Sequence, residues 1–107
     1  MPLINLEYDD EVVSEDDAKS LSQAVRDIVS KTTGIDDVFV YANTAKIKVQ
    51  IAPVEIFVRM SAHKVDDPDA LLGELKIKLS EWKSAHDFKH PINCTLIPMD
   101  WKVAIGI

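Results

Sequence analysis

Pro2 opens an apolar run, P-L-I-N-L-E-Y, with a single removable methionine before it. Excision of an initiator ahead of a small second residue leaves a secondary amine held in a rigid ring. An α-amino group titrates near ~8 when unperturbed. Desolvation in an apolar pocket lowers that value by disfavouring the ammonium, toward the pKa near ~7 that suits general acid–base catalysis. Met-Pro starts are also common by chance, since proline makes up ~5% of ordinary sequence. Other chemistries lack their residues. There is no G-x-G-x-x-G, P-loop, H-E-x-x-H or G-x-S-x-G pattern. His63, His86 and His90 form no ligand set; His86 and His90 are four apart, but Pro91 follows. No metal or other cofactor is implied. Cys94 alternates within an apolar run, which suits burial better than nucleophilic attack. The acidic groups Asp36-Asp37 and Asp66-Asp67-x-Asp69 are explained more cheaply by helix capping than by cation binding.

The elements that must position Pro2 are legible from periodicity. The chain has 107 residues, one domain's worth, and its 47% apolar content can furnish a single core. A net charge of −6 with two arginines argues against nucleic acid, which demands a basic face. No apolar run reaches the ~18 residues of a membrane span, and no basic, apolar leader precedes the first strand pattern. A lone cysteine excludes an internal disulfide. These features predict a soluble cytoplasmic protein.

Strands are predicted at Pro2–Tyr8, Val38–Tyr41 and Ala45–Ile51, with a bend at Asn43 and Thr44. The third alternates strictly, Lys46, Lys48 and Gln50 against Ile47, Val49 and Ile51. Further strands are predicted from Pro53 to about Ala62, over Ile92–Ile97, and at Val103–Ile107. Ser14 reads as a helix N-cap with Asp17 completing a capping box. Ala18, Leu21, Val25, Ile28 and Val29 then recur at helical spacing, and Gly34 ends the helix. Asp67-Pro68 starts a second helix whose stripe is Leu72, Leu75, Leu79 and Trp82, ending near His86.

Residues 2–52 and 53–107 thus form a loose internal duplication, each beginning with proline and running strand, helix, strand. Two βαβ units with right-handed crossovers predict an α/β two-layer sandwich, with both helices on one face of a mixed sheet. Val54, Ile56, Val58, Met60 and Ala62 would face the helices. Glu55, Phe57, Arg59, Ser61 and His63 would lie on the uncovered side, whose apolar content calls for self-association.

Two tandem βαβ units with proline directly after methionine resemble the tautomerase superfamily. The double-length branch is the better likeness, including macrophage migration inhibitory factor-like proteins and 5-carboxymethyl-2-hydroxymuconate isomerases. The likeness spans the whole chain and rests on P-L-I-N-L-E-Y, Thr33-Gly34, V-E-I-F-V-R-M and I-P-M-D-W. It implies a homotrimer whose uncovered sheet faces line a central barrel, with active sites at subunit boundaries. It also implies proton transfer on a small enolisable oxo or enol acid, with Pro2 as the base. A cation would hold the substrate carboxylate and offset charge on the enolate oxygen. Arg59 is the best candidate; a pair with Glu55 of a neighbouring copy is the competing reading. His63 and Lys64 close the Arg59 strand where related enzymes carry basic residues, although a solvated loop pair is the plainer account. Asn93 and Thr95 share a face of the late strand where some relatives place polar pocket residues. Tyr41 and Trp101 are candidate pocket walls, with core or interface packing as the alternative. Several members carry a basic residue just after the helix-ending glycine; that position here is Ile35. The departure keeps open a catalytically silent assembly or interaction module of the same fold. A monomeric ferredoxin-like domain shares the element order.

Overall fold

The computed structural model describes residues 1–107. Its elements are β1 (Leu3–Tyr8), α1 (Glu15–Thr33), β2 (Phe39–Asn43), β3 (Val54–Ser61), α2 (Pro68–His86) and β4 (Asn93–Met99). Both helices begin and end for local reasons. The Ser14 hydroxyl accepts the Asp17 N–H at 3.1 Å, and Glu15, Asp16 and Asp17 sit at the positive end of α1. Gly34, at φ 74°, closes that helix by donating its N–H to Ser30. In α2 the Asp67 carboxylate accepts the Ala70 N–H at 3.1 Å, with Pro68 in the first turn. Its left-handed terminator is Asp87, at φ 54°, one of the few side chains tolerated there.

The sheet order is β2-β1-β3-β4. β1 pairs parallel with β2, β3 parallel with β4, and the two units meet antiparallel at β1 and β3. Each βαβ unit therefore keeps its own strands adjacent. The ferredoxin-like alternative splits each unit with an inserted strand, and this sheet excludes it.

Even-numbered side chains of β1 and β3 face the helices. Ile4, Leu6, Val54, Ile56 and Val58 meet Leu21, Val25 and Val29 of α1 and Leu75 and Leu79 of α2 in one core. The expected alternation is thus observed for β3 from Val54 to Met60, as are the first strand and the helical stripe of α1.

Three expectations are corrected. Ala45–Ile51 is not a strand. Alternation alone cannot make one, because a strand needs a neighbour to satisfy its backbone. β2 is the outermost strand, and the chain leaves the sheet after Asn43. Lys48 instead reaches across to Asp9 at 2.9 Å, to Asp10, and to Glu11 at 3.7 Å. This ties the segment to the turn after β1 and leaves Ile47 and Val49 82% and 97% exposed. Val103–Ile107 likewise forms no strand, and Ile105 and Ile107 are exposed. Finally, β3 stops at Ser61. Ala62–Lys64 is a single 3-10 turn in which Val65 N–H returns to the Ala62 carbonyl at 3.1 Å. Ala62 and His63 therefore leave the alternation and are exposed, while Val65 is buried. The late strand also runs further than expected, through Pro98 to Met99; proline is tolerated because β4 is an edge.

Candidate active site

The uncovered face is a grid of odd-numbered residues fixed by register. One row runs Asn43, Glu7, Glu55, Asn93; the next runs Tyr41, Asn5, Phe57, Thr95; the third runs Phe39, Leu3, Arg59, Ile97. Ser61 and Met99 follow beyond. Pro2 sits just past the third row. Its carbonyl accepts the Phe39 N–H at 3.1 Å, and its ring is fully buried on the helix side. That placement follows from parity: Pro2 shares the inward phase of Ile4 and Leu6. While Met1 is attached, the ring nitrogen is an amide without a basic lone pair; its removal exposes a secondary amine at a desolvated strand end.

Arg59 lies directly opposite Leu3, one residue from Pro2 along β1. It donates from Nη1 to Asn5 Oδ1 at 2.6 Å, and its guanidinium lies 5.8 Å from the centre of the Phe57 ring. No carboxylate of this chain lies within ion-pair distance of it, whereas Arg26, Lys48 and Lys89 all have one. Trp101 turns back after β4 and donates its indole N–H to Ser61 Oγ at 2.7 Å. It thereby stands beside the Arg59 row. His63 and Lys64 are exposed in the 3-10 turn that ends β3 at this same end.

The other sequence candidates scatter. Thr95 and Tyr41 occupy the middle row, flanking Phe57 and Asn5, and Tyr41 is 55% exposed on the outer strand. Asn93 is in the far row, its amide donating to Glu55 Oε1 at 3.0 Å. That row lies four residues along β3 from Arg59, ~13 Å at strand rise. Within one chain, Asn93 therefore does not reach the Pro2 end. Ile35 is half-buried just beyond Gly34, its N–H donated to Thr33 Oγ1 at 3.3 Å, and supplies no charge.

Sequence reasoning did not single out Asn5. The signal was present: Asn5 and Arg59 share outward parity on the two strands that begin each repeat.

None of the larger cavities is lined by Pro2. The largest, about 650 Å³, is a groove between α1 and α2 walled by Asp27, Lys31, Lys78, Glu81, Trp82 and His86. It is on the opposite side of the molecule from the open face. Cys94 lies on the helix side of β4, and burial pushes its thiol up to about 11, which leaves it neutral and unreactive at physiological pH. No group of three or more His, Cys, Asp or Glu side chains is arranged to hold a metal ion. No helix is long and apolar enough to cross a membrane.

No protein-family model matches the sequence, and no curated protein does. Solved structures match the fold over nearly the whole chain. A macrophage migration inhibitory factor-like protein from Entamoeba histolytica superimposes with a TM-score of 0.61 at 16% identity, covering 96% of this chain and 93% of that one. A malonate semialdehyde decarboxylase inhibited by 3-bromopropiolate gives a TM-score of 0.62 at 14% identity, covering 100% and 91%. A probable enzyme from Aspergillus fumigatus gives 0.57 at 14%, covering 96% and 80%. Identity this low speaks to architecture alone. With its paired βαβ units, helices on one face and two inner strands antiparallel, the chain has the tautomerase fold in its double-length form.

Proposed function

We propose that this chain, processed to expose Pro2 and assembled as a homotrimer, transfers a proton on a small enolisable oxo acid. The observation that carries the proposal is the juxtaposition at one sheet end. A fully buried proline begins the inner strand, and the only cation among the outward strand residues lies opposite the residue beside it. Burial of the ring beside that nitrogen supports a partly desolvated base once Met1 is removed.

The step balances within the substrate. The proline lone pair accepts the enol O–H proton, and the electrons of that bond become the carbonyl. The former C=C pair takes the proton back from the pyrrolidinium at carbon. Arg59 would hold the carboxylate and offset the negative charge passing through the enolate. Proximity of base and anchor turns a bimolecular proton exchange into an intramolecular one.

Two features support assembly: Phe39, Tyr41, Ile47 and Val49 are exposed, and Pro2 lines no sizeable cavity within a single chain. Neighbouring copies would supply the missing walls. The name of one structural neighbour, an enzyme acting on malonate semialdehyde, makes a three-carbon oxo acid and its decarboxylation a reasonable member of the substrate class. Cytoplasmic residence belongs to the same proposal.

Ile35 favours a second reading, in which the chain keeps the fold as an assembly module without turnover. Intact mass of the expressed protein and ketonisation of phenylenolpyruvate separate the two. Loss of Met1, with turnover that Pro2→Ala abolishes, supports the enzyme. Retained Met1, or equal rates for wild type and Pro2→Ala, removes Pro2 from any mechanism. Sedimentation tests the trimer, and a monomer at micromolar concentration would exclude it.

A further inference from the structure

We infer that Asn5 is the positioning residue of an anion site on the open face: it holds Arg59 in place with a neutral partner, leaving the guanidinium's charge free for a carboxylate ligand. The inference rests on the proposed function only for equating that ligand with the substrate.

A guanidinium has donors and no acceptor, so the atom it meets on Asn5 must be the amide oxygen, at 2.6 Å. The neighbours of Arg59 on this face are Leu3 and Ile97 across the strands, Phe57 and Ser61 along its own, and Asn5 diagonally. None is acidic. The nearest carboxylates on the face, Glu7 and Glu55, are two rows away with Phe57 between. Neither forms an ion pair with the guanidinium, and the ion pairs of this chain belong to Arg26, Lys48 and Lys89. Glu55 is moreover engaged by Asn93 at 3.0 Å, and Glu7 is near Asn43 at 3.5 Å.

Orientation is settled as well as charge. The Asn5 bond takes one N–H, and Phe57 lies 5.8 Å from the guanidinium carbon, a cation–π contact. The remaining donors keep the planar fork that binds carboxylate bidentately. An aspartate in place of Asn5 would keep the same hydrogen bond and neutralise the site; an amide keeps the bond and the charge. The proposed ligand is a small monocarboxylate, because one guanidinium compensates one negative charge and the surrounding Leu3, Phe57, Ile97 and Trp101 suit a short apolar or carbonyl body.

The test uses the full-length protein and two probes of one shape, pyruvate and its neutral amide, pyruvamide. Nitrogen NMR of the Arg59 side chain is the readout. Pyruvate is expected to shift the Arg59 resonance saturably, and pyruvamide is not. Asn5→Asp should keep or raise the melting temperature while weakening pyruvate at least about tenfold, since an opposite charge at ~4 Å cancels the attraction. With phenylenolpyruvate the same variant should raise KM by a similar factor and change kcat little.

Unchanged pyruvate affinity in Asn5→Asp, equal binding of pyruvamide, or no binding by wild type overturns the inference. Should Asn5→Asp fail to fold, Asn5→Ala carries the test. It frees the guanidinium to wander, and its affinity should fall about threefold or more, ~0.6 kcal/mol; wild-type affinity overturns the proposal. Pro2→Ala should bind pyruvate normally. If it also turned over substrate normally, the proton-transfer reading would fail and the anion site would stand.

Discussion

The two ends of the open sheet face are built on one plan and carry opposite charge. At the Pro2 end a single guanidinium meets an asparagine oxygen. At the far end Glu7 and Glu55 stand directly opposite each other, beside the amides of Asn43 and Asn93 and close to Gln50 and Ile51. Like charges directly across strands cost stability, so the far end is not arranged for the stability of a lone chain. In the middle row, Asn5 and Phe57 hold the guanidinium without neutralising it. A sheet face can thus hold unlike charges without an ion pair when neutral amides take up their hydrogen bonds.

The largest expected effect is at the Pro2 end. Pro2→Ala should lower the ketonisation rate by ~10²-fold or more, within the range contributed by a positioned acid–base group. A rate within twofold of wild type would erase the chemical distinction between the two ends. Arg59→Met should raise KM by ~10–100-fold, consistent with ~1.5–3 kcal/mol for a hydrogen bond to a charged group. Steady-state kinetics measure it, and an unchanged KM would return Arg59 to packing.

The far end should instead respond to acid. The Lys48 amine donates to Asp9 and holds that carboxyl below its ordinary value of 3.8, while Asp10 and Asp9 raise the Lys48 amine above 10.5. A depressed carboxyl contributes stability above its unfolded pKa and loses it as pH falls through the folded value. A raised amine contributes below its unfolded pKa and loses it as pH rises through the folded value. The clamp is therefore complete between about 4 and about 10.5. Limited proteolysis should cut the 44–52 segment faster below that window, and faster in Lys48→Ala at neutral pH. Equal cutting throughout would show that the clamp does not order the segment.

A smaller effect comes from relieving the carboxylate pair. Glu55→Gln should stabilise the chain by ~0.2–1 kcal/mol in urea titration, the scale of a cross-strand pair. If it instead dissociated the assembly, Arg59 of a neighbouring copy would be the partner of Glu55. Asn93→Ala should leave turnover within about twofold, as substitutions outside the site do. A larger loss would show that assembly brings the far row of one copy to the Pro2 end of another.

Much of the fold was readable because its signals are local. Ser14, Asp17 and Gly34 bound α1 through bonds spanning four residues or fewer, and Asp67-Pro68 starts α2 in the same way. Parity assigned the buried face of β3 correctly because that strand is buried on one side only. The failures share a cause. Ala45–Ile51 carries strict alternation, yet pairing is a property of two segments, and nothing local states whether the second exists within the chain. Ser61 ends β3 although parity continues through His63, because Val65 is drawn into the core and the backbone must turn to deliver it. At the site, Pro2 and Arg59 were visible as residue types, whereas Asn5 was not. An asparagine on a strand becomes meaningful only beside the cation it supports.

The two strand–helix–strand units, the helix limits and the outward phase of Arg59 were determined by the sequence itself. They depend on caps, turns and periodicities within a few residues. Only the tertiary structure decided that β1 and β3 run antiparallel at the sheet centre. That pairing sets Leu3 against Arg59, brings Asn5 to the guanidinium and leaves the carboxylates two rows away. Register between distant strands is chosen by the packing of the shared core, since a one-residue slip would turn every buried side chain outward.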